Sequence, residues 1–321
     1  MIRILILLAV SVLFFYSCDE DFNPYAEYEE SYALTCILKG DSAFQVATLS
    51  HSYSPGEFNP GNGAADPSII GADIRIWYDD SVYVFKDSSI TRTDTSRYNT
   101  PFRFYYNNLF KVRTKQSIEI EVLLQNGRRL KARSTTPGEI SFQEESTVLV
   151  PPVNINIVQF YWAQLSEGTF YSSKFELRYL QLINGEHVEK IKEIPIRYIQ
   201  RGDEFEAVFP DPDNGSTIVY NMDAVTRALN EISDGDANKQ NYSVYEFPVF
   251  DLIAFDLPSS RYVSSTGQSF DDLTVSVNVS DYTNIEGGLG IFGSYTRKNY
   301  DRVRFYKDYI ESFGYNFIQE N

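Results

Sequence analysis

The sequence predicts a mainly β protein, in which an N-terminal antiparallel β-sandwich of the Ig-like type precedes a second β-rich domain with one or two helices. Short runs alternate between apolar and polar residues, as in Tyr32–Leu38, which is typical of strands with one buried face. Asn-Gly pairs at 126–127 and 184–185 join such runs and favour hairpin turns, because both residue types accept positive φ angles. Helical spacing of apolar residues is found only near 222–232 and near the C-terminus.

The first residues predict a signal for export. Arg3 precedes Ile4–Tyr16, thirteen residues without a charge, which is the length of a signal-peptide core and too short to span a bilayer. Ser17 and Cys18 match the end of a bacterial lipoprotein signal, in which the cysteine thiol receives a lipid. We therefore predict that residues 1–17 are removed and that acyl chains on Cys18 attach the protein to membrane lipid. A plain secretory signal or a short anchor is the alternative.

Acidic residues follow the cysteine directly. Asp19, Glu20 and Asp21 open the segment 18–31, which is predicted to be an acidic tether, with a sorting signal as the second interpretation. The whole chain has a formal net charge of -16, which argues against nucleic acid as a partner because phosphate binding depends on Lys and Arg. The same charge opposes adhesion to anionic lipid, so membrane attachment depends on the acyl chains.

Cysteine content agrees with a lipid attachment. The chain has two cysteines, and acylation of Cys18 leaves Cys36 without a disulfide partner. Cys36 shares the apolar side of its alternating run with Leu34 and Leu38. It is therefore predicted to be a small core residue rather than a nucleophile or a metal ligand.

The chain divides at Thr136–Gly138, a Thr-Pro-Gly turn. Residues 32–137 form the predicted β-sandwich, in which the clearest element is the hairpin Ser117–Thr135 around Asn126-Gly127. A loop with three Pro and three Gly at 51–68 interrupts these strands.

Residues 138–297 form the predicted second domain. It begins with strands that include Ile140–Val150 and contains a helix near 222–232 with Asn221 as its N-cap. An alternating strand is predicted at Leu273–Val279. Helical spacing of apolar residues from Val303 to Phe313 predicts that the remaining segment, 298–321, is a helical tail.

Catalytic motifs are scarce. The only histidines, His51 and His187, lie in a loop and on a hairpin, and no nucleophile signature accompanies them. The glycines at 287–290 lack the Lys and Ser or Thr of a phosphate-binding loop and are predicted to allow a strand to bend. We expect no enzyme activity and no cofactor, although a pair of carboxylates among the 44 acids remains an alternative.

Three kinds of short motif indicate further candidate sites. Asp234, Asp236 and Asn238 occupy the first, third and fifth positions of an oxygen-ligand loop, but Lys and Tyr replace later ligands, so this is a weak calcium candidate and no metal site is expected. Ser42 and Ser81 each follow an aspartate in short sequences that resemble O-glycosylation sites of Bacteroidota. The aromatic clusters 105–106 and 160–162 are candidate contact surfaces, with the protein core as the alternative.

Several sequences together resemble a family of Bacteroidota lipoproteins. They are the Cys18 signal with its acids, VATLSHSYSP, GADIRIWYDD and IEIEVLLQNGRRLKARSTTP in the first domain, the single late helix, and the closing TNIEGGLGIFGSY. The family is catalogued as a domain of unknown function and labelled with the number 4249. The resemblance covers nearly the whole mature chain and supplies no catalytic residues. It implies attachment to the outer membrane, a surface-sorting role for Asp19–Asp21, and often genes beside TonB-dependent transporters.

These expectations lead to one functional hypothesis and two alternatives. The chain is expected to be an outer-membrane lipoprotein, exposed at the cell surface, that acts as a non-enzymatic accessory or ligand-binding partner of a TonB-dependent transporter. The first alternative is an adhesin or a structural module of the cell envelope. The second is a hydrolase that uses a carboxylate pair.

Overall fold

The protein is mainly β, as the sequence predicts. The computed structural model describes residues 31–51, 66–96, 98–143, 147–266 and 282–320. The strands in these residues are β1 (Tyr32–Lys39), β2 (Gln45–His51), β3 (Asp73–Tyr78), β4 (Ser81–Val84), β5 (Lys86–Ile90), β6 (Phe102–Asn107), β7 (Ser117–Leu123), β8 (Arg129–Thr135), β9 (Val148–Val150), β10 (Ile157–Tyr161), β11 (Tyr171–Ile183), β12 (Glu186–Glu193), β13 (Arg197–Arg201), β14 (Glu204–Val208), β15 (Thr217–Asn221), β16 (Tyr242–Tyr245), β17 (Val249–Phe255), β18 (Leu289–Tyr300), β19 (Val303–Phe305) and β20 (Asn316–Ile318). The helices are α1 (Met222–Glu231), α2 (Leu257–Thr266) and α3 (Lys307–Glu311), with a 3₁₀ turn at Lys239–Asn241.

A ten-stranded sheet runs through both predicted domains. Its order is β20-β16-β11-β17-β18-β1-β2-β6-β5, and β12 pairs with β11 beside this path. Strand β1 is antiparallel to β2 but parallel to β18, with Leu34 opposite Gly290. The prediction of a purely antiparallel first sheet is therefore wrong at this position, because a strand from the end of the chain is inserted beside β1.

A four-stranded sheet, β4-β3-β7-β8, shares a hydrophobic core with part of the large sheet. Alternation along each strand places one row of side chains in this core. The buried members from the two sheets include Leu34, Cys36, Leu38, Ile74, Ile76, Ile118, Ile120, Val122 and Leu130. Apart from Ile285 and Phe292, the buried residues of this core lie between 32 and 132. The buried residues of a second core lie between 140 and 315. The division into two domains stays a prediction.

Helix α1 confirms the helix predicted near 222–232. Its apolar face buries Met222, Val225 and Leu229 in the second core. Asn221 occupies the N-cap position, but its side chain makes no capping hydrogen bond. The start of the helix is therefore held by packing and by the backbone rather than by a side-chain cap.

The C-terminal segment differs from the predicted helical tail. Strand β18 continues to Tyr300, β19 and β20 follow, and the only helix between them, α3, has five residues. Val303 and Phe305 lie on β19 with their side chains in the core. The apolar residues from Val303 to Phe313 therefore do not form the buried face of a single helix. The predicted strand Ile140–Val150 is likewise reduced to β9 within the described residues.

The glycine segment before β18 forms the bend that the sequence predicts. Gly287 has a positive φ angle, and a Cβ atom on Gly288 would lie 2.5 Å from the carbonyl oxygen of Tyr32. The side chain of Asn284 bonds to both the amide and the carbonyl of Phe292. The segment thus brings its backbone close to β1 and turns into β18. The predicted strand Leu273–Val279 lies outside the described residues.

Candidate functional site

The predicted lipidation and sorting residues, Cys18 and Asp19–Asp21, lie outside the described residues. Among the described residues, no helix is long and apolar enough to cross a membrane.

Cys36 is a core residue, as predicted. Its side chain on β1 is 1% exposed, and burial raises the pKa of the thiol far above its ordinary value. A thiol that stays protonated is a poor nucleophile and a poor metal ligand.

The histidines and the calcium candidates do not form a recognisable catalytic or metal site. His51 ends β2 and His187 lies on β12, and these two strands are not neighbours in the sheet. The oxygens of Asp236 accept hydrogen bonds from the Asn238 amide and from Tyr242, which lower the pKa of this carboxyl and close its own loop. No three His, Cys, Asp or Glu side chains within the described ranges come close enough to hold a metal ion.

The candidate glycosylation residues differ in accessibility. Ser81 is exposed beside a two-residue turn of the β3–β4 hairpin. Ser42 is half-buried, and its hydroxyl accepts a hydrogen bond from the Phe44 amide. Modification at either position stays a prediction.

Asp256 is a buried carboxylate at the start of α2. Its Oδ2 atom accepts hydrogen bonds from the hydroxyls of Ser134 and Ser294, and Oδ1 accepts one from the Ser259 amide. Burial raises its pKa, and these hydrogen bonds oppose the rise. Because the side chain is 3% exposed, this cluster holds three elements together rather than meeting a substrate.

Two carboxylates, from Asp41 and Asp251, face one arginine of the large sheet. Asp251 accepts a hydrogen bond from Arg297 at 2.7 Å, and Asp41 accepts one from the same guanidinium at 3.2 Å. These acids lie together, but a cation separates them. They therefore form an ion-pair network rather than the open carboxylate pair of a glycosidase.

One side of β6, together with the residue just before β2, carries a row of aromatic rings that we call the aromatic row: Phe44, Tyr106, Phe104 and Phe102. Successive ring centres are 5.6, 6.3 and 6.1 Å apart. Phe44 is 45% exposed and the other three rings are half-buried. The row is continuous because residues two apart on a strand share a face.

A partly buried ion pair closes one end of the aromatic row. The guanidinium carbon of Arg92 lies 5.3 Å from the centre of the Phe102 ring and 5.1 Å from that of Tyr98. Arg92 and Thr100 also bond to Asp66, whose side chain is 11% exposed. This end of the row is therefore fixed in position by hydrogen bonds.

The sequence located this surface only in part. Tyr106 belongs to the predicted contact cluster 105–106, but Tyr105 points into the core with 1% exposure. The other predicted cluster contains Phe160 and Trp162, which are both buried. Period-two alternation from Phe102 to Tyr106 is the signal that could have identified the row.

The described residues also contain an open cleft between α1 and the β13–β14 hairpin, with a volume of about 560 Å³. Its lining residues are Arg197, Tyr198, Phe205, Asn221, Asp223, Ala224, Thr226, Arg227 and Asn230. No sequence motif indicates this cleft, because its residues come from separate elements.

No protein-family model matches this chain and no curated protein matches it, so the surfaces described above carry the functional argument on their own.

Proposed function

We propose that this chain is an outer-membrane lipoprotein, anchored through an acylated Cys18, that serves as a non-enzymatic partner of a TonB-dependent transporter. The observation that carries the proposal is the aromatic row on β6. Aromatic side chains bury a large area on binding at a small cost in conformational entropy, and they are enriched at protein interfaces.

The surroundings of the row support a protein partner. Strand β5 is the last strand in the order of the large sheet, and Ile90 on β5 is 57% exposed. Strand β4 is the edge of the smaller sheet and exposes Val82 and Val84 by about half. Edge strands offer unpaired backbone groups to a partner, so apolar side chains and free hydrogen-bonding groups occur together in the segment 81–90.

The position of the row supports a partner in the membrane. The His51 amide donates to the Pro67 carbonyl, and His51 pairs with Tyr32 at the start of β1. Asp66 precedes Pro67 and bonds to Arg92 at the end of the aromatic row. The row therefore ends at the side of the sheet where β1 begins.

The length of the tether limits how far the row can lie from the lipid. Residues 18–31 reach at most about 50 Å when fully extended. A transporter in the same membrane is within that distance. The acidic surface is not suited to anionic lipid, so a protein contact is the favoured use of the row.

The proposal is tested by affinity purification of the tagged, lipidated chain from detergent-solubilised outer membranes. We expect a TonB-dependent β-barrel to co-purify with the wild type and to be lost with Phe104→Ser and Tyr106→Ser. Ile155→Ser is the matched control, because Ile155 is 59% exposed and lies outside the row. A wild-type chain that purifies alone would contradict the proposal. If Ile155→Ser also lost the transporter, the aromatic row could not be the specific contact surface.

The same proposal includes the finer fold: residues 32–137 as an Ig-like β-sandwich domain and residues 138–297 as a second domain. Two sheets that share one core between residues 32 and 132 support the first part.

An adhesin or structural module is the second candidate, because a row of rings also suits a polymer. It would retain matrix or polysaccharide on the wild-type chain without any transporter. A carboxylate-pair hydrolase is the third, and the ion pairs of Asp41 and Asp251 with Arg297 count against that pair as its site.

A further inference from the structure

The cleft between α1 and the β13–β14 hairpin has an unusual cationic lining. In β13 and β14, Tyr198 pairs with Ala207 and Phe205 pairs with Gln200, so Tyr198 and Phe205 share one face of the hairpin. Arg227 on α1 crosses this face. Its guanidinium carbon lies 3.7 Å from the centre of the Phe205 ring and 5.2 Å from that of Tyr198.

This stacking fixes the arginine while leaving its donors unused. A guanidinium on an aromatic ring keeps its N–H groups directed outward in its own plane. The side chain of Arg227 makes no hydrogen bond and no ion pair with any residue that the structure describes, and the same holds for the side chain of Arg197 at the rim of the cleft.

The lack of partners is informative in so acidic a chain. Acids exceed basic residues by 16, and Arg75, Arg133 and Arg297 each contact a carboxylate. Asp223 is the one acid in the lining and makes no salt bridge with either cleft arginine, while Glu231, which lies beside Tyr198, pairs with Lys192. Two arginines without an acceptor are thus concentrated in one cleft.

We infer that this cleft binds a small organic anion, whose carboxylate or phosphoryl group lies between Arg197 and Arg227. Arginine presents paired N–H donors that match two oxygens of such a group. The cleft is independent of the aromatic row, so the inference does not rest on the proposed transporter partner.

The remaining lining defines the body of the ligand. Asn221, Thr226 and Asn230 offer amide and hydroxyl groups, and the Asn221 side chain is not used to cap α1. The volume of about 560 Å³ lies within the usual range for small-molecule sites, roughly 300–1,000 Å³. These groups favour a polar, hydroxyl-bearing anion over a purely apolar acid.

Isothermal titration of the mature chain at low ionic strength tests the inference, with inorganic phosphate and citrate as separate probes. We expect at least one probe to bind at millimolar or lower concentration. Arg227→Gln and Arg197→Gln are expected to weaken binding at least about tenfold each, because each removes a charge-assisted contact. Phosphate binding alone would identify a phosphoryl ligand, and citrate binding alone would identify a carboxylate ligand.

Two further variants keep the test decisive. Arg201→Gln is the matched control, because Arg201 lies on the same hairpin, pairs with Glu206 and is outside the cleft lining. Arg227→Lys keeps the charge but removes the paired donors, so it should bind more weakly than the wild type even where thermal unfolding is unchanged. Failure of both probes to bind, or equal binding by the wild type and the Arg197→Gln/Arg227→Gln double variant, would overturn the inference.

Discussion

The Oδ2 atom of Asp256 lies 2.6 Å from the Oγ atom of Ser134, so a carboxylate at the start of α2 is bonded to β8 across the molecule. The same oxygen accepts a hydrogen bond from Ser294 on β18. One buried acid therefore links strands from both predicted domains, 32–137 and 138–297.

This arrangement predicts an unusual pH dependence of stability. Burial raises the pKa of Asp256 above its unfolded value of about 3.9, so the folded state binds more protons than the unfolded state between these two pKa values. The contribution of Asp256 to the free energy of unfolding is therefore largest below the unfolded pKa. It decreases as the pH rises through the folded pKa.

Urea unfolding of the wild type and Asp256→Asn from about pH 4 to about pH 7 measures this contribution. The advantage of the wild type over the variant should shrink as the pH rises. Asp203→Asn, which removes a carboxyl group from an exposed turn between β13 and β14, is the matched control. A constant difference between wild type and Asp256→Asn would contradict the prediction.

Asp66 is predicted to have the opposite effect on the pH dependence of stability. Burial opposes ionisation, but hydrogen bonds from Ser68, Thr100 and Arg92 outweigh it and lower the pKa of Asp66 to about 2. A lowered pKa gives stability that is present above the unfolded pKa of about 3.9 and is lost as the pH falls towards 2. The difference in the free energy of unfolding between wild type and Asp66→Asn should therefore be constant at neutral pH and decrease below about pH 4. If this difference increased as the pH fell, the prediction would be contradicted.

Gly290 is predicted to be essential to the pairing of β18 with β1. Its φ angle is 107°, and a Cβ atom at this position would collide with the carbonyl oxygen of Leu34. Gly127 also has a positive φ angle, 84°, but no atom lies within 4 Å of the position that a Cβ would take. Gly127→Ala should cost about 1 kcal/mol and Gly290→Ala at least about 3 kcal/mol more, or prevent folding. Equal midpoints of chemical unfolding would show that the close approach at Gly290 relaxes easily.

The two cysteines are predicted to behave differently. Labelled palmitate should be incorporated by the wild type and by Cys36→Ala but not by Cys18→Ala, since only Cys18 follows the predicted signal sequence. An unlabelled wild type would refute the lipoprotein interpretation. Cys36 should react with iodoacetamide in urea but not in the folded chain, because its thiol is buried and stays protonated.

Local patterns in the sequence predicted much of the fold, and the two Asn-Gly hairpins show where such patterns stop. At Asn184-Gly185 both residues have positive φ angles, as the type I′ turn requires. At Asn126-Gly127 only Gly127 does, and the hairpin has a three-residue loop instead. The same dipeptide adopts two turns because the register of the flanking strands selects the loop length.

Features that depend on distant residues were not predictable from the sequence. Arg197 and Arg227 lie in one cleft only because the β13–β14 hairpin folds over α1. Helix α2 was not predicted, because the sequence at Leu257–Thr266 has no regular apolar spacing and its start depends on Asp256 and Ser259. By contrast, the burial of Cys36 and the position of α1 were predicted correctly, because the spacing of apolar residues along one strand or one helix is enough to show which face is buried.

The parallel pairing of β1 with β18 has a consequence for biogenesis. The partner strand of β1 is encoded about 250 residues later, so under the proposed export the centre of the large sheet cannot be completed until translocation is nearly finished. Until then, one edge of β1 and the apolar side chains beside it remain available for incorrect pairing. If the chain is exported as proposed, we expect it to need a periplasmic chaperone and its folding to be completed only at the end of export.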